Sequence, residues 1–239
     1  MGIDVSGTKV VSINDRHERG VDTSIDANPS YGRLKGLPLV HVFRRNRMGN
    51  RRDDGNPLIH ALKKRNGFSI TPFWERTLMD RARSIIAKTE QLAGFDYCLP
   101  IPSSSPFCGR FADLLSEQIG ASVLAPDFVR KRSVGEMLEK AKTDPPPMRP
   151  GQKSAFASQL NTWEQMDFAS EYQAKLIDVK IRDLFSAFDI GGDPPDIAGK
   201  RVLIVDDLFA TGSSILSVRN IVSDRLGAEA AAACFLSGA

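Results

Sequence analysis

The chain has 239 residues, of which 41% are hydrophobic and 26% charged, with a net charge of +3. That composition excludes a disordered or fibrous chain and leaves room for one sizeable α/β domain with its own core. No apolar run approaches the ~20 residues of a membrane span, and the first residues lack the charged-then-apolar order of a secretory signal, so no membrane partner is expected. The charge is uneven: residues 41–65 carry eight basic side chains (Arg44, Arg45, Arg47, Arg51, Arg52, Lys63, Lys64, Arg65) against Asp53 and Asp54. Such a stretch suits phosphate, whether of a nucleotide or of a nucleic acid, or a protein partner; it equally suits a solvated loop. Cys98, Cys108 and Cys234 form no CxxC pair, and His17, His41 and His60 are scattered. This suggests a reducing, cytoplasmic setting without a structural zinc.

In chain order, residues 8–14 and 37–45 read as short strands, with polar, turn-rich chain between them from Asp15 to Gly36. Asn56 and Pro57 open a helix, and Gly67 follows its end. Thr71 and Pro72 open a longer helix that stops near Gly94. An apolar strand, 95–102, leads through Ser103, Ser104 and Ser105 into a helix closed by Gly120. A strand at 121–125 follows. Ser133 and Glu136 match a capping box at the start of the next helix. The segment 143–151 is an exposed connection, 152–188 reads as helix in at least two pieces, and 191–199 is a second connector. A strand at 202–205, a helix from Ser213 to about Leu226 and a closing strand at 231–237 complete the series.

Strands alternating with helices point to a mainly parallel twisted sheet flanked by helices. The organisation expected is an N-terminal hood region, 1–94, on an α/β core, 95–239. Val202 to Val205 form a continuous apolar run, as in a strand buried on both faces. Asp206 and Asp207 end it, at the edge where open α/β sheets bind ligands. Gly212 permits a tight turn; Ala210, Thr211, Ser213 and Ser214 surround a helix N-terminus with small side chains and free N–H donors, an anion site. The acids suit hydroxyl groups or a hydrated Mg²⁺ instead. A ribose 5-phosphate satisfies both halves. A receiver domain also ends an apolar strand in two acids, but needs a later strand-end Asp and a Lys, and neither follows Asp207. A plain, well-capped strand–loop–helix is the other alternative; it does not require paired acids.

The stretch VLIVDDLFATGSS, 202–214, resembles the phosphoribosyl pyrophosphate (PRPP) motif of the type I phosphoribosyltransferases. The resemblance implies a Rossmann-like core and catalytic Asp206 and Asp207, which would hold the ribose hydroxyls and Mg²⁺, directly or through water. It also implies that Ala210, Thr211, Gly212, Ser213 and Ser214 wrap the 5-phosphate. The family's pyrophosphate loop would be Ser103, Ser104 and Ser105, whose alternative role is a helix cap. Lys131 and Arg132, with Arg130, would form a basic lid over the pyrophosphate, or else a solvated turn. The layout is similar to the ComF-like branch, which fixes no acceptor; many of its members carry an N-terminal cysteine zinc module that this chain lacks. The function implied is transfer of phosphoribose from PRPP to an unidentified base or amine with release of pyrophosphate. A PRPP sensor and a nucleic-acid accessory protein remain alternatives, and family habit alone suggests a homodimer.

Overall fold

The computed structural model describes residues 1–46, 56–125, 127–173, 176–192 and 195–237. Its N-terminal part holds strands β1 (Gly2–Val5), β2 (Val10–Asn14), β3 (Val21–Asp22), β4 (Ser30–Leu34) and β5 (Leu37–Arg45). The stretch 15–36, expected as loop, therefore contributes two strands. β4 and β5 form a hairpin in which Leu34 faces Leu37 and both turn residues, Lys35 and Gly36, have positive φ (46° and 90°). That turn matches the right-handed twist of a hairpin. The sequence of β4, SYGRL, hides its nature because its three central residues are exposed and its apolar pattern is poor.

Helix α1 (Pro57–Leu62), strand β6 (Ser69–Ile70) and helix α2 (Pro72–Ala87) follow. The Asn56 side chain accepts from the Leu58 N–H at 2.9 Å, and Thr71 accepts from the Trp74 N–H, so both expected caps form. Next come β7 (Tyr97–Pro100), α3 (Phe107–Ile119), β8 (Ser122–Val123), β9 (Val129–Lys131), α4 (Val134–Thr143) and α5 (Lys153–Glu164). Ser133 and Glu136 make the reciprocal capping box of α4. Beyond α5 the expected second helical piece of 152–188 is replaced by turns, a short 3₁₀ segment at Arg182–Leu184 and strand β10 (Phe188–Ile190). Tyr172 and Phe185 in these turns close a small core with Phe156 and Trp163, so their apolar spacing reflects packing rather than helix.

The chain ends with β11 (Arg201–Leu208), α6 (Ser213–Arg219), a wider π-type coil at Asn220–Arg225 and β12 (Glu229–Leu236). The central sheet runs β3-β5-β12-β11-β7-β8, with β4 also on β5. The five strands from β5 to β8 in that order are parallel, and β3 and β4 add antiparallel edges. The sheet draws strands from both sides of residue 94. One face packs on α1, α2 and α3, the other on α6; β11 is central and buries Val202, Leu203, Ile204 and Val205 completely. This is the mainly parallel, helix-flanked sheet that the alternation of elements implies. Separate antiparallel pairing joins β9 to β10, and β1, β2 and β6 form a small N-terminal sheet. Among the described residues no helix is long and apolar enough to cross a membrane.

Candidate functional site

Side chains alternate across a strand, so neighbouring acids on β11 must point to opposite faces. Val202 and Ile204 belong to the core under α6, while Leu203 and Val205 belong to the core with α3. Asp206 continues the first series and Asp207 the second. The strand runs past both, to Leu208, before the loop to α6 begins.

The two carboxyls meet different surroundings. Asp207 is almost fully buried, and its Oδ2 lies 2.5 Å from the ammonium of Lys63, itself only 14% exposed. The contact is an ion pair poorly aligned as a hydrogen bond. Asp206 is partly buried; its Oδ1 accepts from the Asp207 N–H at 2.8 Å. Burial first, then the neighbouring Asp207 charge, push Asp206 up to about 7. Across the sheet, Asp206 aligns with Cys234 and Cys234 with His41. His41 is buried, its Nε2 lacks a hydrogen-bond partner, and burial lowers it to about 4. Its ring meets the edge of Phe209 at 5.4 Å.

The loop after β11 turns at Gly212, which has φ +74° and is covered by Leu34 and Phe209. Ala210 and Thr211 are exposed, Ser213 and Ser214 partly so. The Thr211 and Ser213 hydroxyls lie 3.1 Å apart, and the Gly212 carbonyl accepts from Leu216 N–H. The loop therefore presents hydroxyls and first-turn N–H groups at the sheet edge, beside Asp206.

Val205 pairs with Pro100, so the loop after β7 lies beside the loop after β11. Ser103 accepts from the Ser105 N–H and Ser105 accepts from the Phe107 N–H, each at 3.3 Å. Ser103 and Ser104 are exposed, and Ser104 Oγ accepts from the Arg65 guanidinium. Cys108, at the start of α3, donates its thiol to the Val205 carbonyl at 3.2 Å. Burial holds the Cys108 and Cys234 thiols well above their ordinary range, which suits core residues and not nucleophiles.

The structure thus brings Asp206, Asp207, Ala210 to Ser214 and Ser103 to Ser105 to one edge of two adjacent strands. Lys131 and Arg132 lie in and just after β9. Lys131 pairs with Glu171 at 3.2 Å and Arg132 with Asp189 at 2.9 Å; Arg130 pairs with Glu136 at 2.5 Å. Of the basic stretch, Arg44 pairs with buried Asp22. The Arg45 backbone N–H donates to Ser237 Oγ. Arg47, Arg51, Arg52, Asp53 and Asp54 lie outside the described residues. Lys63 and Arg65 turn to the strand-end loops. The sequence marks Lys63 only as one member of the basic stretch 41–65 and gives His41 no site role, because no local spacing announces a partner far along the chain.

Among the described residues no group of three or more His, Cys, Asp or Glu side chains could hold a metal ion. The donor set is two carboxylates, one already ion-paired. It fits a largely hydrated Mg²⁺ that shares its ligands with a bound phosphate, not an all-protein cage.

No family model matches the chain. Over 187 residues it is 24% identical to the ribose-phosphate pyrophosphokinase of Chlorobaculum tepidum, covering 74% of this chain and 54% of that protein. The chain therefore spans about half the length of the curated relative it matches. The adenine phosphoribosyltransferase structure of Leishmania tarentolae superposes with a TM-score of 0.39 at 12% identity, covering 99% of this chain and 94% of that one. A superposition that loose carries no argument about function.

Proposed function

We propose that the chain binds PRPP at the carboxyl edge of β7 and β11 and transfers its phosphoribosyl group to a nitrogen acceptor. The observation that carries this reading is the acid pair at the end of β11, Asp206 partly and Asp207 almost fully buried, followed by the Gly212 turn at the head of α6. Acids suit the ribose hydroxyls, and the turn with Thr211, Ser213 and Ser214 suits the 5-phosphate. The Ser103–Ser105 loop next to it suits the pyrophosphate. The long segment 126–200 before the motif is what supports a layout like that of the ComF-like branch. Mg²⁺, held through water by Asp206, would supply charge neutralisation on the pyrophosphate.

In the reaction the C1–O bond to pyrophosphate breaks and its electron pair leaves on the pyrophosphate. The lone pair of the acceptor nitrogen forms the new C1–N bond, and the surplus proton on that nitrogen passes to water. The chain's own contribution is positioning and charge stabilisation. Asp206 and Asp207 fix the ribose ring by its hydroxyls, and the two loops hold the phosphates at either end.

Calorimetric titration with PRPP and Mg²⁺ tests the reading. Saturable binding by the wild type that disappears in Asp206→Asn/Asp207→Asn, with the fold retained by circular dichroism, is expected. Folded wild type that binds no PRPP refutes it. The pyrophosphokinase relative favours a second reading, movement of pyrophosphate onto a ribose phosphate. Formation of PRPP from ribose 5-phosphate and a nucleoside triphosphate, in place of PRPP consumption with a panel of bases and amines, would select it.

A further inference from the structure

We infer that Lys63 and Arg65, from the turn after α1, are the cations that receive the pyrophosphate end of the ligand. The inference rests on the phosphoribosyl reading above and assigns the source of its positive charge to the N-terminal region.

The two loops at the sheet edge need a cation. Two strand-end acids already place negative charge there, and a pyrophosphate would add more. Local N–H donors alone do not offset that charge. The basic residues of the segment 130–132 are each engaged by a carboxylate within the insert: Arg130 by Glu136, Lys131 by Glu171 and Arg132 by Asp189. Arg132 also donates its Nε–H to the Phe188 carbonyl. Asp189 is shared with Arg225 as well.

The turn after α1 supplies what is missing. Lys63 touches Asp207 at the end of β11, and Arg65 touches Ser104 in the loop after β7. Two cations separated by one residue therefore reach the two adjacent strand ends, one at Asp207 and one at Ser104. Their direction is built into the backbone. Lys64 and Asn66 adopt φ of +53° and +55°, and Gly67 follows at +74°. Side chains rarely take that conformation, and it persists only where surrounding contacts fix it. Here Lys63, Lys64 and Arg65 all donate their N–H groups back to α1, to Ile59, Ala61 and His60, and Phe68 donates to the Arg65 carbonyl. The ring of Phe68 lies against His60 at 5.6 Å, which ties the end of the turn to the helix.

The chemistry of the two cations fits the assignment. An ammonium has three N–H donors, and the Lys63 ammonium is held beside Asp207 by an ion pair, so it can also donate to an anion bound there. The guanidinium of Arg65 has a planar fork suited to two phosphate oxygens, and Ser104 already orients it toward the loop. Lys63 is mostly buried and Arg65 is exposed, so the first is fixed in place while the second has room to close over a ligand.

Calorimetric titration with inorganic pyrophosphate, PRPP with Mg²⁺, and ribose 5-phosphate tests the inference on wild type, Lys63→Gln, Arg65→Ala and Arg83→Ala. Arg83 is an exposed cation on α2 paired with Asp80, so its variant controls for loss of net charge. Arg65→Ala is expected to weaken pyrophosphate and PRPP about tenfold, the worth of one charge-assisted hydrogen bond, and to leave ribose 5-phosphate unchanged. Lys63→Gln should weaken them at least as much, and Arg83→Ala should not. Arg65 is exposed, so its variant remains a folded test if Lys63→Gln lowers stability. If wild type binds PRPP and Arg65→Ala and folded Lys63→Gln bind it equally well, the assignment is overturned while the phosphoribosyl reading stands. If wild type binds pyrophosphate through both cations but neither PRPP nor ribose 5-phosphate, the assignment stands and the phosphoribosyl reading falls. If wild type binds none of the three, both fall.

Discussion

Gly212→Ala separates two costs that the strand-end loop combines. At φ +74° an alanine enters the left-handed region, at about 1 kcal/mol or somewhat more. The new methyl would also lie 2.5 and 3.0 Å from the two Cδ atoms of Leu34 and 2.9 Å from Cε2 of Phe209. Those are ends of side chains and can give way, but each is packed: Leu34 closes the β4–β5 hairpin and Phe209 lies on His41. Overpacking of this kind costs about 1–3 kcal/mol, for a total of about 2–4 kcal/mol. Gly120→Ala provides the reference. Gly120 caps α3 at φ +71°, and nothing lies within 4 Å of its added Cβ, so it carries the backbone cost alone, about 1 kcal/mol. Urea unfolding followed by tryptophan fluorescence measures both variants. The expected result is a larger loss for Gly212→Ala by about 1–3 kcal/mol, with PRPP binding lost in the same variant. Equal losses would refute the claim that Leu34 and Phe209 hold the loop after β11.

Asp206 and His41, on one row of the sheet, should give opposite pH dependences. The folded chain keeps the Asp206 proton up to about 7, whereas the ordinary value is 3.8. The folded state then holds more protons between those values, so stability falls as pH rises through that span and is level above it. His41 loses its proton at about 4 when folded, against an ordinary 6.5. Here the unfolded state holds more protons, so stability rises with pH from about 4 to 6.5. The slopes oppose each other in the wild type; urea midpoints across pH 4–8 should rise with pH in Asp206→Asn and fall in His41→Leu, and parallel curves would contradict both assignments. The acids should also differ as structural residues at pH 8. Asp207→Asn leaves the buried Lys63 ammonium without its counter-ion, at about 3–5 kcal/mol, while Asp206→Asn removes a desolvated charge and should not destabilise; equal losses in urea would count against the asymmetry. Asn56→Ala should cost about 1 kcal/mol through the α1 cap, read as a lower melting temperature, and should also loosen the turn that carries Lys63 and Arg65.

The parts legible in the sequence are those whose signals are local. β11 reads as a strand because both of its faces are covered, which makes Val202 to Val205 continuously apolar. The caps at Asn56, Thr71 and Ser133 act within four residues, and all three form. The parts that were not legible depend on distant neighbours. β4 is a strand because β5 pairs with it, not because SYGRL asks to be one. The turns at 165–188 bury Tyr172 and Phe185 by folding back on α5, so their apolar residues imitate a second helix.

The candidate site follows the same division. The sequence displays two adjacent acids and leaves them equivalent. The period of two along β11 sends Asp206 toward the α6 face and Asp207 toward the α1–α3 face. Different layers then supply their partners: Asp206 shares a row with Cys234 and neutral His41. Asp207 receives Lys63 from an element that the sequence places far upstream. The motif therefore defines the acids at the strand end, and the sheet topology defines the charge set against them. In a parallel sheet, consecutive strand ends come from remote segments. The residues that complete a strand-end site are accordingly found from the order of the strands rather than from spacing along the chain.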